Sequence, residues 1–500
     1  MSPKQLNTDE TLTGLTRRTL LRTAAAAVTA AAAARTPLAF AAPPDPTPTL
    51  THRPPLADRR FTSPAIEAAI RRVSRQIADP QLALIFANCL PNTLDTTVYP
   101  TTHNGHPDTF VITGDIDAMW LRDSSAQVWP YLPFCKQDPR LSALIEGVIR
   151  RQVRCILIDP YANAFLPNTT SKPLSWAVHD DTTMKPGVAE RKWEIDSLCY
   201  TIRLAHGYWQ ATGNTAPFDA DWLQAARAIV RTFRQQQRKH GPGPYHFQRA
   251  SAQPTDTLPL DGYGNPARPV GLIYSGFRPS DDACIFPLFI PANLFAVTSL
   301  HQLAVMADKL GNDATLANDC AKLAEEVTTA LNQYGQIDTK DHGPIWAYEV
   351  DGYGNTLRMD DANAPGLASL EYLACVTPAQ RALYERSRAF ALSTGNPYFF
   401  KGTAAEGIGG PHIGLGYIWP MGILFRAFSS TSDQETIQCL RWLRNTTAGT
   451  HFMHESFWKD DPAKYTRPWF AWANTLFGEL ILKLATQNPT LLRASMAPSA

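Results

Sequence analysis

The feature that most restricts this chain is an alternation repeated along its length. From about Arg60 onward, amphipathic segments with a 3.6-residue apolar period are separated by long connections rich in aromatic, Gly and Pro residues. Few stretches have the period of two that a half-buried strand requires. Ser63-Pro64 offers an N-cap and a proline at the first helical position, after which Ile66, Ile70, Val73 and Ile77 line one face. Asp138-Pro139 repeats the device ahead of Leu141, Leu144, Ile145, Val148 and Ile149. Further helices are predicted at about 193–211, 218–239, 291–310, 313–333, 366–375, 378–392, 412–429, 433–446 and 468–485, roughly a dozen in all. The expectation is an all-α domain over 60–490 with no second domain. Helices joined by such connections suit two concentric rings with functional loops at one end. A solenoid or an irregular bundle would give similar segments, but no self-similarity of about 33–47 residues supports a solenoid. The repeated Asp261-Gly-Tyr-Gly-Asn265 and Asp351-Gly-Tyr-Gly-Asn355 read as hairpin tips, since neither has the frame of a calcium loop.

The N-terminus reads as an address. Thr16-Arg17-Arg18-Thr19-Leu20-Leu21-Arg22 has the twin-arginine form, followed by the apolar run Ala24 to Ala34 and by Ala39-Phe40-Ala41. Residues 1–41 are therefore expected to be a signal peptide handled by the twin-arginine (Tat) translocase. The run is too short for an anchor and is followed by Arg35, so the mature protein is expected to be periplasmic or secreted. The Pro-rich stretch 42–59 reads as a linker. Formal charge is +1, with 46 basic and 45 acidic residues and no basic block beyond the leader, so nucleic acid is not the expected partner. The eight cysteines lie far apart and form no CxxC or Cys/His cluster, which argues for buried thiols and against structural zinc.

Five connections concentrate the unusual residues. The first runs from Thr113 to Ser124 and contains Asp115, Asp117, Trp120, Arg122 and Asp123. It reads either as a helix cap or as a pocket in which carboxylates and Arg grip hydroxyls while Trp covers a sugar face. The second, Arg191 to Ser197, contains Trp193, with Glu194 and Asp196 as ligand contacts or as acids at a helix start. In the third, Ser275 to Ala283, Asp281 and Asp282 are adjacent, either as caps of the next helix or as a site in which two neighbouring carboxylates raise each other's pKa and keep one protonated as a general acid. The fourth, Gly407 to Pro420, holds five glycines without the strand-turn-helix context of a nucleotide loop, and His412, which reads equally as a structural hydrogen-bonder or a ligand contact. The fifth, His451 to Trp458, sets Glu455 among aromatics, a setting that suits a carboxylate aimed at water. Zinc-protease spacing, a nucleophile elbow and a phosphate loop are all missing. An acid pair acting on a neutral polyol is the simplest chemistry left.

At these same places the chain resembles glycoside hydrolase family 125. The matching pieces are TGDIDAMWLRDSSAQVWPYL from Thr113, RKWEIDSLCY from Arg191, SGFRPSDDA from Ser275, GIGGPHIGLGYIWPMG from Gly407 and HESF from His454. The resemblance implies an all-α (α/α)6 barrel with long functional loops and a few short hairpins. It implies an α-mannoside oligosaccharide or glycan as substrate, exo removal of terminal α-1,6-linked mannose, inversion, no metal and no cofactor. It also implies Asp282 as general acid, with Asp281 the second candidate, and Glu455 as general base. Asp115, Arg122, Asp123, Asp281 and His412 are then expected to grip the sugar, with Trp120 and Trp193 as stacking platforms. Two rivals are another α-glycosidase, such as a glucosidase on the same barrel, and a non-catalytic mannan-binding protein.

Overall fold

Two kinds of helix start organise this molecule. The computed structural model describes residues 51–494 and Met496, so the expected signal peptide and the first part of the linker lie outside the described residues. The α-helices are α1 (Pro64–Ser74), α2 (Pro80–Cys89), α3 (Asn92–Thr96), α4 (Leu121–Val128), α5 (Pro139–Ile158), α6 (Ile195–Thr212), α7 (Ala220–Gln236), α8 (Ile290–Lys309), α9 (Ala314–Tyr334), α10 (Arg381–Ala391), α11 (Pro420–Phe428), α12 (Asp433–Asn445) and α13 (Ala471–Gln487). Six begin at a side-chain cap. Ser63, Asp79, Asp138, Asp219, Asp313 and Ser432 each accept an amide hydrogen bond at the head of α1, α2, α5, α7, α9 and α12. By contrast α4, α6, α8, α11 and α13 follow Trp120, Glu194, Phe289, Trp419 and Phe470, none of which caps with its side chain.

Burial separates the same two groups. Every residue of α4 is buried, as is α6 from Ile195 to Ala205, whereas α1 and α12 bury one stripe, as amphipathic helices do. Helix α4 packs on α6, α6 on α8, α11 on α13, and α13 returns to α4; α5, α9, α12 and α2 lie against members of that set, and α7 packs on α5 and α9. Long, apolar α8 is mostly buried here as a core helix.

The structure is helix-rich but not purely helical: the described residues include six small antiparallel sheets. Three of their strands, Met119–Trp120, Leu288–Phe289 and Tyr417–Ile418, lead directly or within one residue into α4, α8 and α11, so ladder bonds fix those entries instead of caps. The Asp351–Asn355 tip does join two paired strands, with the Asp351 carboxylate accepting the Tyr353 and Asn355 amides. The Asp261–Asn265 repeat is a turn without flanking strands.

Three expectations need correction. The predicted helix at 366–375 is a run of turns: Asp360 accepts the Leu367 and Ala368 amides and Ser369 Oγ that of Gly366, but the chain turns left-handed at Ala374, φ 57°, before a helix is established. The helix expected over 412–429 starts only at Pro420. The linker is not free up to residue 59: Arg53 is buried in ion pairs with Asp95 and Glu67, so the fold already includes it. All eight cysteines are buried and unpaired, as their spacing predicts.

Candidate active site

The uncapped helix starts deliver one pocket. Trp120, Arg122 and Asp123 come from the head of α4, Trp419 from that of α11, and Phe470 and Trp472 from that of α13; Thr113, Ile116, Asn363, His412, Glu455, Arg467 and the Pro279-Ser280-Asp281 turn complete the lining. Backbone N–H groups at such starts carry partial positive charge and favour nearby anions.

Arg122 is the electrostatic hub. Its Nη1 lies 2.6 Å from Glu194 and 3.2 Å from Asp196, both at the head of α6. Its Nη2 is 3.5 Å from Asp281 and its Nε 3.6 Å from Asp123. Burial opposes the guanidinium's charge, and the surrounding acids more than restore it. The acids feel the same burial: it pushes Asp123 and Glu194 up, and Asp196 up to about 6, against the pull of Arg122.

The two neighbouring aspartates live in different environments. A bridge between Phe277 and Ala283 closes a tight loop, the Arg278 amide donates to the Asp282 carbonyl at 2.8 Å, and Asp281 takes a left-handed φ of 66°. Arg278 Nε is fixed in turn by Glu349 at 2.6 Å. Burial would raise the Asp281 carboxyl, but Arg122 and Lys192 outweigh it and hold the group down at about 2. Lys192 Nζ also donates to the Asp281 carbonyl at 2.8 Å. Asp282 is 2 % exposed; its Oδ1 sits 3.3 Å from His412 Nδ1 and its Oδ2 meets no partner among the described residues. Burial would lower His412, yet the hydrogen bond and charge of Asp282, with Asp281 and Glu455 beyond, bring it up to about 9.

Glu455 is held differently. Its amide donates to the Thr466 and Arg467 carbonyls, tying it beside the hairpin formed by Ser456–Trp458 and Asp461–Thr466. Thr466 Oγ1 donates to Oε2 at 2.9 Å and Arg467 Nη1 to Oε1 at 3.3 Å. Arg467 reaches past Glu455 to Asp115, with Nη2 at 2.6 Å from Oδ1. One part of the pocket thus holds a carboxylate beside an imidazolium, and another a carboxylate aimed by two donors. Such a pair can release a proton at one point and take one up at the other.

The family described as metal-independent α-mannosidases matches this chain over residues 79–482. The chain belongs to glycoside hydrolase family 125. Among its relatives, the meiotically up-regulated gene 157 protein of Schizosaccharomyces pombe is 41 % identical over 457 residues, covering 88 % of this chain and 89 % of the relative. A solved structure of a metal-independent α-mannosidase from Streptococcus pneumoniae, in a non-productive complex with α-1,6-mannobiose, is 37 % identical. It covers 85 % of this chain and 99 % of that one with a TM-score of 0.80.

Within this family 125 fold, Trp120, Arg122, Asp123, Asp281, His412 and Glu455 line the pocket, and Asp282 touches it through His412. Asp115 does not line it and instead braces Arg467. Trp193 is no stacking platform. It is 1 % exposed, its indole N–H donates to the Tyr274 carbonyl at 2.7 Å, and its ring packs edge-on to Tyr161 inside the core. Arg467, Asn363, Trp419, Phe470 and Trp472 were not expected at the pocket; the Arg-Pro step between aromatics at 465–469 is the signal that could have pointed to Arg467. Among the described residues, no cluster of three His, Cys, Asp or Glu side chains is arranged to hold a metal ion.

Proposed function

We propose that this chain is an exo-acting hydrolase that removes non-reducing terminal α-1,6-linked mannose with inversion, using Asp282 as general acid and Glu455 as general base. The observation that carries this reading is the contrast between the two aspartates. Asp281, pinned by Arg122 and Lys192, is ionised and suited to accept sugar hydroxyls. Asp282 lies beside His412, whose imidazole that contact helps raise to about 9, and keeps one oxygen without a protein partner among the described residues. In this scheme the His412–Asp282 pair gives its proton to the glycosidic oxygen as the bond to the anomeric carbon breaks. Glu455, oriented by Thr466 and Arg467, takes a proton from the water that attacks the opposite face. Proton count balances: one leaves the acid pair with the aglycone and one arrives on Glu455. Trp120, Trp419, Phe470 and Trp472 supply apolar walls for the sugar face, while Arg122, Asp123, Asp281 and His412 supply hydroxyl contacts. The bound α-1,6-mannobiose of the Streptococcus pneumoniae relative supports the linkage.

The same reading extends to architecture and address. Helices α4, α6, α8, α11 and α13, with the turn-rich 360–375 segment as a sixth inner position, are read as the inner ring of an (α/α)6 barrel; the return of α13 to α4 supports closure. The twin-arginine leader is read as an export signal for the Tat translocase, giving a periplasmic or secreted enzyme without an anchor. An exported protein whose N-terminus is Ala42 is the expected result of sequencing it.

Activity is tested by following hydrolysis of α-1,6-mannobiose by NMR with EDTA present. Fresh β-mannose, absent with Glu455→Gln, is expected. Initial α-mannose would require retention instead. Turnover of α-glucosides alone would move the substrate to another sugar, and binding of mannan without turnover would make the chain a lectin.

A further inference from the structure

A second cavity, of about 890 Å3, lies between the C-terminal half of α7, the start of α9 and the 239–244 loop, and shares no lining residue with the mannoside pocket. Arg227, Arg231, Arg234, Arg238 and Lys239 all face it. Three of these cations have acidic partners: Arg227 pairs with Asp313, and Arg234 and Lys239 share Glu326 at 3.8 and 2.9 Å. Arg231 and Arg238 have no carboxylate within ion-pair distance among the described residues.

Basic residues at a helix C-terminus are often there for the helix dipole, and that accounts for the exposed ones. It does not account for Arg238. This residue has left α7 in a left-handed conformation, φ 52°, and its guanidinium is held on three sides: Nε donates to Gln236 Oε1 at 3.2 Å, Nη1 to the Tyr263 carbonyl at 2.9 Å, and the Tyr274 ring lies 4.4 Å away. Among the described residues Nη2 has no hydrogen-bond acceptor. Burial accordingly pushes its pKa below the ordinary arginine value. A half-buried, oriented cation without a counter-charge is unfavourable, and a guanidinium that lines a cavity with one amino group unused matches the fork that carboxylates and phosphates occupy.

We propose that this cavity binds a phosphate-type oxyanion, held by Arg238 and Arg231. The anion arrives either free or as an ester on a glycan, since the cavity has the volume of an organic-ligand site rather than of a single ion. Calorimetric titration of the mature protein with sodium phosphate and with mannose 6-phosphate, against sodium chloride at matched ionic strength, tests this. At least one of the two phosphates binds, and Arg238→Gln and Arg231→Gln each weaken that binding by about tenfold. Arg231 is exposed, so its variant keeps the test valid if Arg238→Gln fails to fold. Binding of both phosphates identifies the free anion as sufficient, and binding of the ester alone identifies a glycan-borne group. In either case excess α-1,6-mannobiose does not compete. The proposal is overturned if neither phosphate binds, if chloride gives the same heat, if the two variants bind like the native protein, or if mannobiose displaces the anion.

Discussion

Compare α5 with α4. The first starts at Asp138, whose carboxylate takes the Arg140 and Leu141 amides, and buries one face along its length. The second starts at Trp120 without a side-chain cap, is buried on every side, and brings Arg122 and Asp123 into the pocket. The pattern repeats around the molecule, with capped α1, α2, α7, α9 and α12 set against uncapped α6, α8, α11 and α13. A cap is worth about 1 kcal/mol. Where it is given up, short ladders or the buried acids around Arg122 take over, and the helix start becomes part of the site. Scaffold and chemistry are thus divided by helix ends, and changes at the two kinds of end should have opposite signatures.

The sharpest separation is expected at the turn facing the uncapped ends. Asp282→Asn should lower kcat/KM on α-1,6-mannobiose by about a hundred- to ten-thousandfold, the range of general acid catalysis, while the urea midpoint moves little. With a dinitrophenyl mannoside, whose leaving group needs no proton, most of that loss should vanish. Asp281→Asn should depress both substrates alike, as removal of a sugar contact does. A leaving-group-dependent loss in Asp281→Asn instead would exchange the two roles.

The pocket also differs internally in what titrates. Glu455 is held by Arg467, whose guanidinium stays charged, whereas Asp282 is held by His412, which burial would lower but the carboxylates bring to about 9 from an ordinary 6.5. Its folded pKa is raised, so the stabilisation from the pair is complete below pH 6.5 and is lost as pH rises through about 9. The alkaline limb of kcat/KM should therefore fall near pH 9, and His412→Gln should remove that limb as well as lowering the plateau. A limb that persists unchanged in the variant would assign it to another group.

Legibility in the sequence followed the same division only in part, since α2 went unread although Asp79-Pro80 caps it in the same way. Ser63-Pro64 and Asp138-Pro139 announced α1 and α5, since a cap is a local pattern. The starts at Glu194, Trp419 and Phe470 announced nothing; the predicted helices there began two to eight residues early, and the short α4 was seen only as a helix start. The motifs nevertheless located Arg122, Asp123, Asp281, His412 and Glu455, because charged residues among aromatics are rare away from a site. Trp193 looked the same in sequence as Trp120. What separates them is a tertiary contact, the Tyr274 carbonyl that draws the Trp193 indole inward. Arg467 and Trp472 were missed because each reaches the pocket from a segment that carries no acid motif of its own; Asn363 follows the adjacent acids Asp360-Asp361, a signal left unread.

The smallest effect expected is the mirror of the first. Asp138 accepts two amides at the head of α5 and also the Ser63 hydroxyl, so one carboxylate ties the caps of two scaffold helices together. Asp138→Ala removes all three hydrogen bonds at a buried position and should cost about 1–2 kcal/mol in urea unfolding. Asp138→Asn keeps an acceptor for the amides and should recover much of that loss. Neither change touches the pocket, so kcat/KM at 25 °C should stay within about twofold of native. Should Asp138→Ala lower activity as much as stability, helix ends would not divide scaffold from site, and the capped ring would have to be counted as part of the catalytic apparatus.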